Sequence, residues 1–112
     1  MGRESTVEKK IVMLARDKGV LTRKFSSPSN AGVPDRIFMW NGKTLFLEIK
    51  RFGFKPTALQ YDEMEGINKH GIPATWVDSY ADAYELISMW KQWCMEEMVK
   101  ECVTRNKESQ EQ

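Results

Sequence analysis

Asp35, Glu48 and Lys50 are spaced so that a hairpin between them would set two carboxylates and an amine side by side. Directly opposed residues of an antiparallel pair share one face, with Cβ atoms roughly 4.5–5.5 Å apart. Side chains alternate along a strand, so Lys50 points the same way as Glu48. Two like charges directly opposed destabilise a sheet unless something positive lies between them, and a divalent cation and Lys50 are the natural candidates. Oxygen ligation from two carboxylates suits Mg²⁺, which otherwise keeps water and substrate phosphate. An exposed hairpin end neutralised by Arg36, Lys50 and Arg51 explains the same residues without a metal.

The hairpin itself rests on local chemistry. Its arms, Arg36-Ile37-Phe38-Met39-Trp40 and Thr44-Leu45-Phe46-Leu47-Glu48-Ile49, are rich in aromatic and β-branched residues. Asn41-Gly42 between them suits a type I′ turn, which needs positive φ at both central residues. A two-residue loop sets the register: Trp40 faces Lys43, every pair sums to 83, and Asp35 faces Glu48. Ile37, Met39 and Phe46 lie on the Asp35 side, with Phe38, Trp40, Leu45, Leu47 and Ile49 on the other. A hairpin apolar on both faces belongs in the middle of a sheet with helices on each side.

Other elements frame it. Ser5 to Lys18 reads as a helix with Val7, Ile11, Leu14 and Ala15 as its stripe. Ser5 and Glu8 match a capping box, so Glu8 is either a cap or a residue near the site. Val20 to Phe25 is an expected strand, and 26–33 a loop of small and polar residues that would let a phosphate backbone approach. Arg51 to Pro56 is a basic and aromatic connector. Thr57 and Gln60 match a second capping box, at the start of a helix from Ala58 to His70; capping alone explains Gln60 there. Ala74–Val77 reads as a strand. A long helix from Tyr80 to Val103 carries Ala83, Ile87, Trp90, Cys94, Met98 and Cys102, with Leu86, Met89 and Trp93 as a second flank. So wide a stripe implies two neighbours: the core, and either a second subunit or a loop of the same chain. Residues 104–112 are polar and expected to fray.

With 112 residues, the chain is expected to form one domain, spanning 1–103, ahead of that tail. No segment approaches the ~18 consecutive apolar residues of a membrane span, and Met1-Gly2-Arg3-Glu4 is not a signal peptide. Cys94 and Cys102 would sit roughly 12 Å apart on one helix, too far to bridge, and suit a reducing cytoplasm. One histidine and no paired cysteine motif argue against structural zinc. The net charge of +1 conceals an asymmetry. Residues 1–60 hold twelve Lys/Arg against five Asp/Glu, and 61–112 hold five against eleven, giving +7 and −6. A basic half beside a carboxylate pair points to a polyanion, most simply nucleic acid.

Taken in order, Gly32-Val33-Pro34-Asp35, Glu48-Ile49-Lys50 and Gln60 resemble the PD-(D/E)xK nuclease superfamily, and Gly32 to Arg36, GVPDR, resembles its VRR-NUC family. The resemblance covers roughly residues 4–87. It implies an α/β, restriction-endonuclease-like αβββαβ core, a central mixed sheet flanked by helices, here with a long C-terminal helix. It further implies that Asp35, Glu48 and the main-chain carbonyl of Ile49 bind Mg²⁺ or Mn²⁺. Lys50 would position or activate the attacking water, with Gln60 and Glu8 assisting at the edge. Lys24 would touch phosphate, and Arg36, Arg51 and Lys55 complete the candidate nucleic-acid contacts. Small stand-alone members, often from phages or prophages, resemble homodimeric Holliday-junction resolvases, which leads to a metal-dependent endonuclease for branched DNA in the host cytoplasm. The competing expectations are a nuclease for flap, nicked or duplex DNA, a module that only binds nucleic acid, and a structural protein built on the last helix. The last sits poorly with the +7 half.

Overall fold

Asn41 (φ 49°) and Gly42 (φ 76°) both adopt positive φ in the computed structural model, as a two-residue turn of this kind demands. The structure describes residues 5–111, with side chains for 5–100 and 103–105. Strands β2 (Arg36–Trp40) and β3 (Lys43–Ile49) pair antiparallel from Trp40↔Lys43 to Arg36↔Leu47, the register the turn dictates. Before them come α1 (Thr6–Asp17) and β1 (Leu21–Lys24), the latter antiparallel to β2. After them α2 (Ala58–Lys69) carries the chain to β4 (Ala74–Val77), parallel to β3 as a helical crossover allows. The sheet order is β1-β2-β3-β4, and α3 (Tyr80–Glu111) closes the chain. This is the expected α/β architecture with a mixed sheet.

The two sheet faces are unequally covered. Phe38, Leu45 and Leu47 are sealed under Ile11, Leu14 and Ala15 of α1 and Ala83, Ile87, Trp90 and Cys94 of α3. Fully burying a side chain such as Phe38 or Leu47 contributes about 1.5–3 kcal/mol, so this face carries most of the stability. On the other face α2 buries only Met64, leaving Ile37, Met39 and Phe46 half-buried. Phe25 covers part of that gap, edge-on to Phe46 with ring centroids 5.1 Å apart. Helices do flank both sides, but α2 is too polar to seal its own. The carboxylate pair lies on this thinly covered face.

Helix α3 runs on to Glu111, eight residues past the expected end. Lys, Glu, Gln and Arg, common in that stretch, are good helix formers. Packing stops sooner. Ala83, Ile87, Trp90 and Cys94 are buried, whereas Met98, expected in the same stripe, is 40% exposed. A 32-residue helix spans about 48 Å, whereas the longest strand, of seven residues, spans about 23 Å. The helix therefore outruns the sheet it packs on. Burial pushes the Cys94 thiol up; the Cys102 side chain lies outside the described residues. Among the described residues, no helix is long and apolar enough to cross a membrane.

Candidate active site

The loop into β2 is wedged against α2. Pro34 is fully buried, and Gly32 has φ +86°, where a Cβ would stand 2.9 Å from Leu59 Cγ and 3.2 Å from the Leu59 carbonyl carbon. Glycine is needed here twice over, for its backbone angle and for the close approach. Gly32→Ala should destabilise the fold by about 1–3 kcal/mol, measured by denaturant unfolding. The same substitution at Gly53, also at positive φ but with open space around it, should cost less.

Three residues later Asp35 ends the loop. Its main-chain carbonyl accepts from Phe25 N–H at 2.8 Å, continuing the β1 pairing one step. Its carboxylate Oδ2 accepts from Ile49 N–H at 3.1 Å, so a side chain replaces the next rung of the β2–β3 ladder. Asp35 is thereby held over the end of β3, half-buried.

Glu48 is 3% exposed. Its Oε2 accepts from Lys50 Nζ at 3.2 Å and from Gln60 Nε2 at 3.1 Å. Its Oε1 is buried and has no hydrogen-bond partner. Burial, and then the negative charge of Asp35 beside it, push the Glu48 carboxyl from its ordinary 4.5 up to about 7, with Lys50 pulling partly back. A buried carboxylate with an unsatisfied oxygen beside a second carboxylate is an unfavourable arrangement that a cation relieves. Among the described residues no cluster of three or more His, Cys, Asp or Glu side chains forms. Two carboxylates with a nearby main chain suit a hard ion that fills its other positions with water or phosphate oxygen, so the donor set fits Mg²⁺ or Mn²⁺.

The raised Glu48 value has a stability consequence without divalent ions. The folded state holds this proton more tightly than the unfolded chain, so its contribution is complete below about pH 4.5 and is lost as pH rises through about 7. Thermal melts in EDTA should show that fall, and Glu48→Gln should flatten it.

Gln60 serves two partners at once. Its Oε1 accepts from Thr57 N–H at 2.9 Å, while Thr57 Oγ1 accepts from Gln60 N–H at 3.2 Å, completing the capping box. That bond turns the amide so that Nε2 faces Glu48. Glu8 behaves differently. Its N–H donates to Ser5 Oγ at 3.1 Å, but its carboxylate accepts from Arg36 Nε at 2.9 Å across to β2. Arg36 is 5% exposed and lies on the α1 side of the sheet, opposite Asp35. Arg36, expected among the nucleic-acid contacts, is placed inward against Glu8, because alternation along β2 turns the residue after Asp35 toward α1. Lys24, paired with Arg36 in the ladder, shares that face and is exposed. Arg51 and Lys55 are exposed on the connector that leaves β3.

The structure thus brings Asp35, Glu48, Ile49, Lys50 and Gln60 to one sheet end and sets Glu8, Arg36 and Lys24 on the other face. Two contributors escaped the sequence reading. Gly32 was legible as a loop residue and as the start of GVPDR but not as a contact of Leu59, and Asp78, whose Oδ2 accepts from Gly53 N–H at 3.1 Å, carries no signal at a separation of 25 residues.

No family model matches the chain. A protein of Acyrthosiphon pisum secondary endosymbiont phage 1 named "Putative nuclease p44" is 45% identical over 62 residues, covering 54% of this chain and 67% of the phage protein. A solved structure described as a VRR_NUC domain protein superposes with a TM-score of 0.58 over 79% of this chain and 89% of its own, at 15% identity, which speaks to the fold alone. Another, described as a VRR_NUC domain, superposes with a TM-score of 0.68 at 30% identity, covering 73% of this chain and 90% of its own. Identity at that level across nearly the whole of a domain of the same fold makes this chain a member of the VRR-NUC family.

Proposed function

We propose that this chain is a nuclease, and in particular a Mg²⁺- or Mn²⁺-dependent DNA endonuclease that acts on branched DNA as a homodimer. The observation that carries the reading is the buried, unsatisfied Oε1 of Glu48 beside Asp35. Asp35 and Glu48, with the main-chain carbonyl of Ile49, would hold the cation. When bound, such an ion lowers the pKa of water and neutralises charge developing on phosphoryl oxygens.

The chain's own residues supply the rest. Lys50, half-buried and 3.2 Å from Glu48, places a fixed positive charge at the site's edge, where it can face a phosphoryl oxygen or orient the attacking water. Gln60, locked by its cap, holds Glu48 in one rotamer. Arg51 and Lys55 offer exposed charge to the phosphate backbone beside the site, and Lys24 does so from the neighbouring face. Glu8 acts through Arg36, which follows Asp35 directly in the chain.

Exposed Met89 and Trp93, one turn apart on α3, supply an apolar face for a second copy. Two sites related by a two-fold axis can nick two strands symmetrically, as branched DNA requires. The likeness to a phage protein supports a site of action in a host cell's cytoplasm. The test is a cleavage panel of four-way junction, flap, duplex and single strand with Mg²⁺ or Mn²⁺, each matched by an EDTA control. Metal-dependent nicking that favours the junction is the expected result. No cleavage of any substrate under either metal overturns the nuclease reading, and equal cleavage of all four removes the branched-DNA preference.

A further inference from the structure

The connector between β3 and α2 holds two phenylalanines in water. Phe52 is 81% exposed and Phe54 63%, in a segment that begins one residue after Lys50. The segment is not slack. Phe54 N–H donates to the Arg51 carbonyl at 2.9 Å, closing a turn in which Gly53 takes φ +85°, the sign that a type II turn needs at its third residue. Asp78 at the end of β4 grips Gly53 N–H at 3.1 Å, and Pro56 is buried just ahead of the α2 cap. Both rings are therefore presented by a pinned turn while the core face of the sheet lies covered elsewhere.

Charge narrows what the rings meet. Arg51 and Lys55 flank them and are exposed. A second copy docking through this turn would set the same cations against each other, which disfavours self-association there. A flexible polyanion carrying flat apolar groups satisfies both features: cations take the phosphates, and aromatic rings take the bases. Bases inside a duplex are already stacked and paired, so their faces are unavailable. We propose that Phe52 and Phe54 form a stacking platform for unpaired DNA bases next to the carboxylate site. This deepens the nuclease reading and rests on it: the substrate is then DNA whose strands separate near the scissile phosphate.

The test is equilibrium binding in EDTA, where no cleavage occurs, to two DNAs of equal charge. One carries a single-stranded arm with 2-aminopurine; the other is fully paired. Phe52→Ala/Phe54→Ala should bind the single-stranded arm about five- to hundredfold more weakly and lose its 2-aminopurine quenching, with duplex affinity unchanged. Phe52→Trp/Phe54→Trp should keep both. Equal losses on the two DNAs, no loss on either, or a lowered oligomeric mass for the alanine variant overturns the platform. The two readings fail separately. Wild-type protein that cuts DNA while the alanine variant binds unchanged removes only the platform, whereas wild-type protein that neither cuts nor binds DNA removes the nuclease reading with it.

Discussion

Lys50→Ala is expected to lower metal-dependent DNA cleavage about 10²–10³-fold, the loss typical when one preorganised charge is removed from developing oxyanion charge. DNA affinity should change little, because Arg51 and Lys55 keep their exposed positions. Removing the amine 3.2 Å from Glu48 also leaves that carboxyl with burial and Asp35 both raising it, so the metal-free site holds its proton still more firmly. Asp35→Asn is the companion variant. Its amide oxygen can still accept from Ile49 N–H, so the ladder end survives, but the second negative charge is gone. Cleavage should vanish with the melting temperature in EDTA held or raised. Single-turnover rates and filter binding on the same DNA separate the outcomes. A chain that only binds nucleic acid would show no cleavage to lose and, for Lys50→Ala, a change in affinity alone.

Glu8→Ala should be the most destabilising of these changes, by about 3 kcal/mol in denaturant unfolding. It withdraws one of the partners of a guanidinium whose side chain is only 6% exposed. Replacing both members, Glu8→Ala with Arg36→Met, should recover most of that loss, because an apolar side chain fills the space without a buried charge. The double variant also sorts the roles of Glu8. Recovery of fold and cleavage together makes its contribution structural, through the strand residue next to Asp35. Recovery of the fold with cleavage still depressed would place Glu8 in the chemistry despite its position across the sheet.

Much of the site was legible because the rules that build it are short-ranged. Asn41-Gly42 specifies a turn within two residues, alternation carries the register outward, and Asp35, Glu48 and Lys50 follow. Thr57 and Gln60 specify a helix start within four. Glu8 shows where such rules stop. Its N–H caps α1 as its spacing suggests, but the destination of its carboxylate depends on how α1 lies across β2, and Arg36 was waiting there. Capping and a place beside the carboxylates looked like alternatives for Gln60 in one dimension; in three, one amide has two ends, one accepting from Thr57 N–H and the other donating to Glu48.

What the sequence by itself determined is therefore the element order, the hairpin register and the identity of the acidic pair with its lysine, since each depends on backbone angles and on periods of two or 3.6 residues. Tertiary structure alone decided that Arg36 turns inward to Glu8, that Gly32 must touch Leu59, that Asp78 pins the exposed phenylalanine turn, and that α3 outruns its sheet. These contacts join residues 25 or more positions apart, and their formation follows from how whole helices dock on the sheet, a matter of packing that no local spacing encodes.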